Sequence, residues 1–439
     1  MINDQQSAAA VLSALFDDGV YTELSAGYQG RSGQSVITAY GYAGGTPVYV
    51  FAQDSSVSGG AVDSVHAAKI AQVFELAARN GMPVIGVYDS RGAFVDDGVE
   101  SLNAYSLMLE KLTAMSGVVP TVSVITGICS GSMALIASSA DLVVMTKDAE
   151  IYLDAADPSS ADKAAENGTV QLVAKDAADA LDKVRRYLSL MPQNDLSPLP
   201  EYEYDPPAAA DMSDAHKACE SVADAGSIIE LSAAFGKASV TALGTVNGTA
   251  AGLVATDKTA GKLTPHDLQK IARFVRLCDA YGIPVVTIVD CEGIENKGCA
   301  ARMLVRMAAV YSEAVCPKVT IISGKATGAV FTAFAGKNAA ADMTIALDTA
   351  VIAPIDPMTA AEFLYHDRLI GAADPAAVRK ASAEDHARTE GSAALAAQRG
   401  AVDMVTDASG VRAAAASALD FAAGKRLLRR LPKKHSVIC

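Results

Sequence analysis

Apolar runs broken by Gly and Pro alternate along this chain with stretches whose apolar positions recur three and four apart, and the whole pattern occurs twice. VYVFAQD (48–54) and GLVATDK (252–258) are short strand-like runs, each followed by a Gly-containing loop. Helical spacing follows at 62–80, with Ile70, Val73, Phe74 and Ala77 in phase, and at 264–281, with Ile271, Phe274, Val275 and Cys278. A G-x-P break then opens PVIGVYD (83–89) and PVVTIVD (284–290), β-rich runs of buried-strand character. Each copy continues through another helix to TVSVIT (121–126) or KVTIIS (318–323), and then through a Gly-rich turn into a further helix.

The two copies hold a nearly constant offset, which is the strongest sequence indication of fold. Lys69-Ile70-Ala71 returns as Lys270-Ile271-Ala272 and Asp89 as Asp290, both displaced by 201, while Gly127 returns as Gly324 at 197. Strand, helix, strand, helix written twice predicts two α/β domains with right-handed crossovers. Between them PQNDLSPLPEYEYDPPAAADMSD (192–214) is rich in Pro and acid and reads as a surface connection, preceded by a helix at 177–191 that closes the first domain. The predicted division is a first domain over 1–190, a linker over 191–226 and a second domain over 227–439.

Composition narrows the function classes. With 50 acidic against 36 basic residues the net charge is -14, which argues against nucleic acid as a partner. The one dense basic stretch, Lys425, Arg426, Arg429, Arg430, Lys433 and Lys434, reads either as a helix end with a solvated tail or as a contact for an anionic ligand or subunit. Seven Cys without a C-x-x-C pair and six His without ligand spacing point to reduced thiols, a cytoplasmic setting and no metal site. The acidic N-terminus lacks the basic start of an export signal. Leu112–Ala140 carries no charge, but Pro120, three Gly and six Ser interrupt it, so it reads as strand, turn and buried helix rather than a membrane span.

Familiar catalytic signatures are missing: there is no G-x-S-x-G, H-E-x-x-H, P-loop or G-x-G-x-x-G. Backbone geometry recurs instead. GICSGSM (127–133) and GKATGAV (324–330) each place small residues between a strand end and a helix start. A helix start leaves N–H groups without internal partners, and two such amides aimed at one oxygen form an oxyanion hole.

At this level the chain resembles the biotin-dependent acyl-CoA carboxyltransferases. The resemblance rests on GYAGGTPVYVFAQDSSVSGG, HAAKI, GMPVIGVYDSRGA, GVVPTVSVITGICSGS, KIARFVRLCDAYGIPVVTIVD, SGKATGAVF, AQRGAVD and LPKKH, in order along nearly the whole chain. That family includes propionyl- and acetyl-CoA carboxylase β subunits and the α subunits of methylmalonyl- and glutaconyl-CoA decarboxylases. The resemblance implies tandem crotonase-like α/β domains of the ClpP/crotonase superfamily, the first serving acyl-CoA and the second biotin. It implies carboxyl transfer between biotin on a separate carrier protein and the α-carbon of a coenzyme A thioester, with the amides of Gly131 and Ser132 holding the thioester enolate and those of Gly328, Ala329 and Val330 the biotin oxygen. Gly59, Gly60, His66, Lys69, Arg91, Gly92, Ala93 and Lys325 are the implied ligand contacts, His66 and Lys69 toward the CoA phosphates. The implied partners are a biotin carboxyl carrier protein, a biotin carboxylase or a membrane decarboxylase subunit that would bring the protein to the membrane, and further copies in a trimer of dimers.

The chain also departs from the family pattern. Asp89-Ser90-Arg91-Gly92-Ala93-Phe94 stands where D-S-G-G-A-R is usual, Ser132 replaces a second Gly, and the stretches after Tyr152 and around 349–363 lack family glycines. Three readings follow: an active transferase, a non-catalytic scaffold subunit, and a crotonase-like hydrolase or isomerase with Asp89 or Asp290 as base. A structural helix cap is the competing role for those two aspartates.

Overall fold

The computed structural model describes residues 7–154, 156–337 and 339–425. Of the basic residues near the end of the sequence, Lys425 falls within this range; Arg426, Arg429, Arg430, Lys433, Lys434 and the LPKKH motif lie outside the described residues. The chain divides into two compact units, one comprising the chain up to Pro200 with Leu231–Phe235, the other Glu201–Glu230 with the chain from Gly236 on.

In the first unit, α1 (Ala8–Leu15) precedes strands β1 (Tyr21–Leu24), β2 (Val36–Ala43) and β3 (Thr46–Gln53), then α2 (Ser64–Asn80), β4 (Val84–Ser90), α3 (Val99–Met115), β5 (Thr121–Ser130), α4 (Ser132–Ser138) and β6 (Leu142–Thr146). Short elements complete it: β7 (Glu150–Tyr152), β8 (Ser159–Ser160), α5 (Ala161–Glu166), β9 (Leu172–Ala174) and the longer α6 (Ala177–Leu190). The sheet order is β1-β2-β3-β4-β5-β6-β9, antiparallel up to β3 and parallel beyond it, with β7 paired to the far end of β5.

The second unit repeats this plan with α7 (Ala215–Val222), β10 (Ile229–Glu230), β11 (Ser239–Val246), β12 (Thr249–Thr256), α8 (Pro265–Ala280), β13 (Val285–Val289), α9 (Ala300–Glu313), β14 (Lys318–Ile322) and β15 (Lys325–Thr327). A five-residue π turn, Phe331–Ala335, stands where a helix is predicted, closed by Gly336 N–H onto Phe331 O at 2.7 Å. Then come β16 (Met343–Leu347), β17 (Val351–Ala353), α10 (Pro357–Leu364), α11 (His366–Leu369), α12 (Pro375–Thr389), α13 (Ala393–Gln398), β18 (Met404–Thr406) and α14 (Val411–Ala422). Its main sheet runs β10-β11-β12-β13-β14-β16-β18, and β15 pairs with β17 beside it.

The parallel strands are the apolar runs seen in the sequence, and every residue of β6, β13 and β14 is buried. Helices α2 and α8 begin where caps are available: Asp63 accepts His66 N–H, and Thr264 with Asp267 forms a capping box ahead of Pro265. Gly81, at φ 63°, ends α2 in the left-handed conformation.

Residues 191–226, expected as a linker, do not remain one throughout. Helix α7 lies inside this stretch, and Ala215, Ala218, Cys219 and Val222 join the core of the second unit. Alternation between these small apolar residues and charged neighbours gives α7 its buried face. Strands β2 and β11, which complete antiparallel hairpins with β3 and β12, were not among the predicted elements. No helix among the described residues is long and apolar enough to cross a membrane, and Leu112–Ala140 is divided among the end of α3, β5 and α4.

Candidate functional site

Both Gly-rich turns sit at the carboxyl end of a central parallel strand, and a carboxylate shapes each. Asp89, near the end of β4, accepts Ile128 N–H at 3.2 Å on one oxygen and the Ser55 hydroxyl at 2.5 Å on the other. A Cβ on Gly127 would lie 2.1 Å from that carboxylate. Asp290 repeats the arrangement: it accepts Lys325 N–H at 2.9 Å and lies 2.5 Å from Lys258 Nζ, and a Cβ on Gly324 would meet it at 2.2 Å. The two aspartates cap no helix. They hold the backbone of the strand-to-turn junction, and a glycine is required because the carboxylate fills the space of its side chain.

Beyond that junction the two turns agree in detail. Gly131 has φ 60° and donates its N–H to Tyr152 O at 2.9 Å; Gly328 has φ 53° and donates to Ala353 O at 3.0 Å. Both bonds extend the strand pairings β5–β7 and β15–β17 by one residue. These glycines therefore supply the left-handed turn while their amides are engaged, which corrects the expectation that both donate to a ligand. Ala134 N–H and Thr332 N–H turn back to Gly131 O and Gly328 O, each at 3.1 Å. Among the described residues, the amides of Ser132 and Met133 in one turn and of Ala329 and Val330 in the other have no protein acceptor, and no side chain caps α4 or the π turn. Unshared amides at a helical start bind negative charge.

Around the first turn the structure gathers several of the expected residues. Gly59 and Gly60, at φ 67° and 66°, pass beneath Asp89 and Ser90, where a Cβ on Gly60 would lie 2.2 Å from Asp89 O. Arg91 N–H donates to Gly59 O at 3.0 Å, the Ser90 hydroxyl to Gly60 O at 2.7 Å, and Ala93 bridges to Val62. A Cβ on Gly92 would lie 3.2 Å from Ser130 Oγ, one residue before Gly131. The Arg91 side chain is exposed beside Gly59 and has no ion-pair partner among the described residues. Phe94 lies under the Arg31 guanidinium, which is 5.8 Å from its ring centroid and pairs with Asp97 at 2.9 Å.

His66 and Lys69 are elsewhere. Both are buried in α2, His66 between Ser35 Oγ at 2.9 Å and Gln53 Nε2 at 3.1 Å, and Lys69 donating to Val36 O at 3.1 Å. Burial, opposed by the Asp63 charge, holds the His66 imidazolium pKa down to about 3, so the ring is neutral. Burial likewise lowers the Lys69 ammonium. Both side chains are taken up by protein partners: α2 packs against β2 and β3 with His66 and Lys69 turned inward and Gln72, Arg79 and Asn80 exposed. Lys270, the counterpart of Lys69, donates to Ser239 O at 2.7 Å, and burial lowers its pKa to about 8. Lys325 is held rather than free, 3.1 Å from Glu292 and bonded to Asp356.

One cavity adjoins the second turn, and another lies against α4 after the first. In the second unit one of about 430 Å³ is lined by Gly328, Phe331, Thr332, Ile352 and Leu395, with the Arg399–Glu390 pair at 3.6 Å in its wall. The first unit has one of about 350 Å³ among Leu135, Tyr152, Leu153, Asp154 and Asn167. No group of three or more potential metal ligands occurs among the described residues.

Two α/β units, each with a Gly-bent strand-to-helix junction whose first amides have no protein acceptor among the described residues, define the class of fold. The chain belongs to the carboxyl transferase domain family, whose model matches residues 13–161 and 159–438. It is 31% identical to the methylmalonyl-CoA decarboxylase α subunit of Propionigenium modestum, covering 99% of this chain and 93% of that protein. It is also 31% identical to the propionyl-CoA carboxylase β chain of Saccharopolyspora erythraea, over 99% and 90%. A solved structure of transcarboxylase 12S, described as a hexamer with hydrolysed methylmalonyl-coenzyme A bound, superposes with TM-score 0.90 at 29% identity over 99% of this chain and 92% of that one. The tandem crotonase-like fold expected from the sequence is the fold of this family. Alignments to these relatives run to 486 and 495 positions, longer than this chain's 439 residues, so the relatives carry residues that it lacks.

Proposed function

We propose that this protein is a carboxyltransferase that moves a carboxyl group between biotin on a carrier protein and the α-carbon of a short acyl-CoA. The observation that carries the reading is the pair of unshared amide turns, one in each unit, because the transfer develops negative charge on two separate oxygens. In the first unit the amides of Ser132 and Met133 receive the thioester oxygen as it becomes an enolate, with Gly131 setting the turn. Arg91, exposed over the Gly59–Gly60 loop, meets the CoA phosphates. In the second unit the amides of Ala329 and Val330 receive the biotin oxygen, and the cavity of about 430 Å³ beside that turn, lined by Gly328, Phe331 and Thr332, has a size and a mostly apolar wall that fit the bicyclic ring of biotin. When bound, biotin supplies the nitrogen that carries the carboxyl group and handles the α-proton, so the chain need supply no base. A lost amide donor in such a site costs about 2.7 to 4 kcal/mol of transition-state stabilisation.

The relatives named as decarboxylase and carboxylase subunits, and the hexameric transcarboxylase 12S, support assembly with further copies and with a biotin carrier. The hydrolase or isomerase alternative is weakened because both carboxylates of the proposed bases are occupied by backbone amides and by Ser55 or Lys258. The test is label exchange: radiolabelled malonyl-, methylmalonyl- or glutaconyl-CoA is mixed with the protein and a biotin carrier, and label on the carrier is counted. Exchange with at least one substrate is expected. Silence with all three would leave the scaffold reading standing.

A further inference from the structure

The two turns share the Asp–Gly contact but differ in charge. In the first unit Ser55 satisfies Asp89, and the residue after Gly127 is Ile128. In the second Lys258 satisfies Asp290, and the residue after Gly324 is Lys325, which bonds Asp356 and lies 3.1 Å from Glu292. Asp356 is also the N-cap of α10, accepting Met358 N–H at 2.9 Å. Lys325 opens β15, whose register against β17 runs from Lys325 opposite Val351 to Thr327 opposite Ala353, and Gly328 then donates to Ala353 O. The segment is thus closed at both ends, by the Gly328–Ala353 backbone bond and by the Lys325–Asp356 ion pair. The amide turn hangs from one side of this closed segment and α10 from the other.

The pair is partly shielded, with side-chain exposures of 20% for Lys325 and 32% for Asp356, so it is screened less than a surface pair. Burial lowers the Lys325 pKa, but Asp356 and Glu292 outweigh it and raise the pKa above the usual lysine value. A lysine engaged by two carboxylates is not a spare cation for an anionic ligand.

We propose that Lys325 is a positioning residue: by clamping Asp356 and Glu292 it fixes the Gly328–Val330 turn and the start of α10 as one piece, and so sets the biotin side of the transfer. The kinetic half of this proposal rests on the carboxyltransferase reading; the structural half does not.

The test uses the full chain with Lys325→Met, Asp356→Asn, the double variant and Lys325→Arg. Asn preserves helix capping, so Asp356→Asn removes the charge alone. Each of Lys325→Met and Asp356→Asn is expected to speed hydrogen exchange about tenfold at Gly328, whose amide is bonded to Ala353 O, and in α10, the scale of one lost charge-assisted bond. Both should raise KM for the biotin carrier about tenfold and leave KM for acyl-CoA within about twofold, the double variant should be no worse than either single, and Lys325→Arg should recover most of the loss. Unchanged exchange in Lys325→Met would overturn the clamp, as would additive losses in the double variant. So would a silent Asp356→Asn beside a dead Lys325→Met, which would make Lys325 a ligand contact. Should the unmodified chain transfer no carboxyl at all, the carboxyltransferase reading falls, while the clamp is still decided by the exchange rates.

Discussion

The first unit bends its backbone with the same glycines and the same carboxylate as the second, yet the surroundings of the two turns have opposite character. In the first, the residue two past the clamping aspartate is the exposed cation Arg91; in the second, at the same offset of 201, it is Glu292. After β7 the first unit passes through 153–160 directly into α5, whereas after β17 the second inserts α10, α11 and α12 before α13. Backbone contacts that exclude a side chain are common to both copies, and charges and coverings differ. Such a division is expected where one scaffold holds two oxyanions that belong to chemically different molecules.

The shared part should be the least tolerant. Gly127→Ala and Gly324→Ala each push a Cβ to within 2.1 or 2.2 Å of a carboxylate, and should each cost about 3 kcal/mol in urea unfolding. Near-neutral values at either glycine would show that the aspartate can swing away, and the common-scaffold argument would fail for that unit.

Next come the buried ionisable groups, which separate the units by pH. The His66 pKa is depressed to about 3 from 6.5, so the unfolded chain binds the proton first. Stability from this site is whole above pH 6.5 and falls as pH drops toward 3, by up to about 1.4 kcal/mol per unit. His66→Gln should flatten that slope. Lys270 is depressed from 10.5 to about 8, so between those values the unfolded chain again holds more protons and stability rises with pH; Lys270→Met should remove the rise. Equal slopes in variant and parent, from urea midpoints across pH, would place either group in water.

Smaller effects should follow from the clamping carboxylates. Asp89→Asn and Asp290→Asn should each lower stability by about 1 to 2 kcal/mol, the second more, because it also unpairs Lys258. Turnover should stay within about tenfold of the parent for both, whereas loss of a true general base would cost about a hundredfold or more.

Much of this was legible in the sequence, and the reasons for the rest are physical. Buried parallel strands declare themselves as apolar runs, so β4, β5, β13 and β14 were readable, and the offset gave the tandem architecture. The hairpin strands VITAYGYA and SVTALGTV mix small and polar residues and carry no such signal. His66 and Lys69 are expected at the CoA phosphates because the sequence does not show the hairpin that covers them. That Gly131 and Gly328 spend their amides on Tyr152 and Ala353 depends on strand register, which no local pattern encodes. The partners of Lys325 lie 33 residues before it and 31 after it, beyond any motif window. Asp89 and Asp290 stand out in the sequence by their repetition, and the glycine that opens each following turn, Gly127 or Gly324, is the accompanying signal of the contact.

The smallest effect is expected where the two turns differ most. Arg91 is exposed, so the proposed attraction for CoA phosphates would be screened and would amount to less than about 1 kcal/mol. Arg91→Gln should therefore raise KM for acyl-CoA only about threefold, leave kcat alone and weaken the dependence of KM on salt. Glu292→Gln, at the matching position of the second unit, should leave KM for acyl-CoA unchanged at every salt concentration, because no polyanion is expected at that turn. If the two substitutions moved KM for acyl-CoA equally, the assignment of one ligand to each turn would collapse, since a charge difference between the copies would then have no counterpart in what they bind.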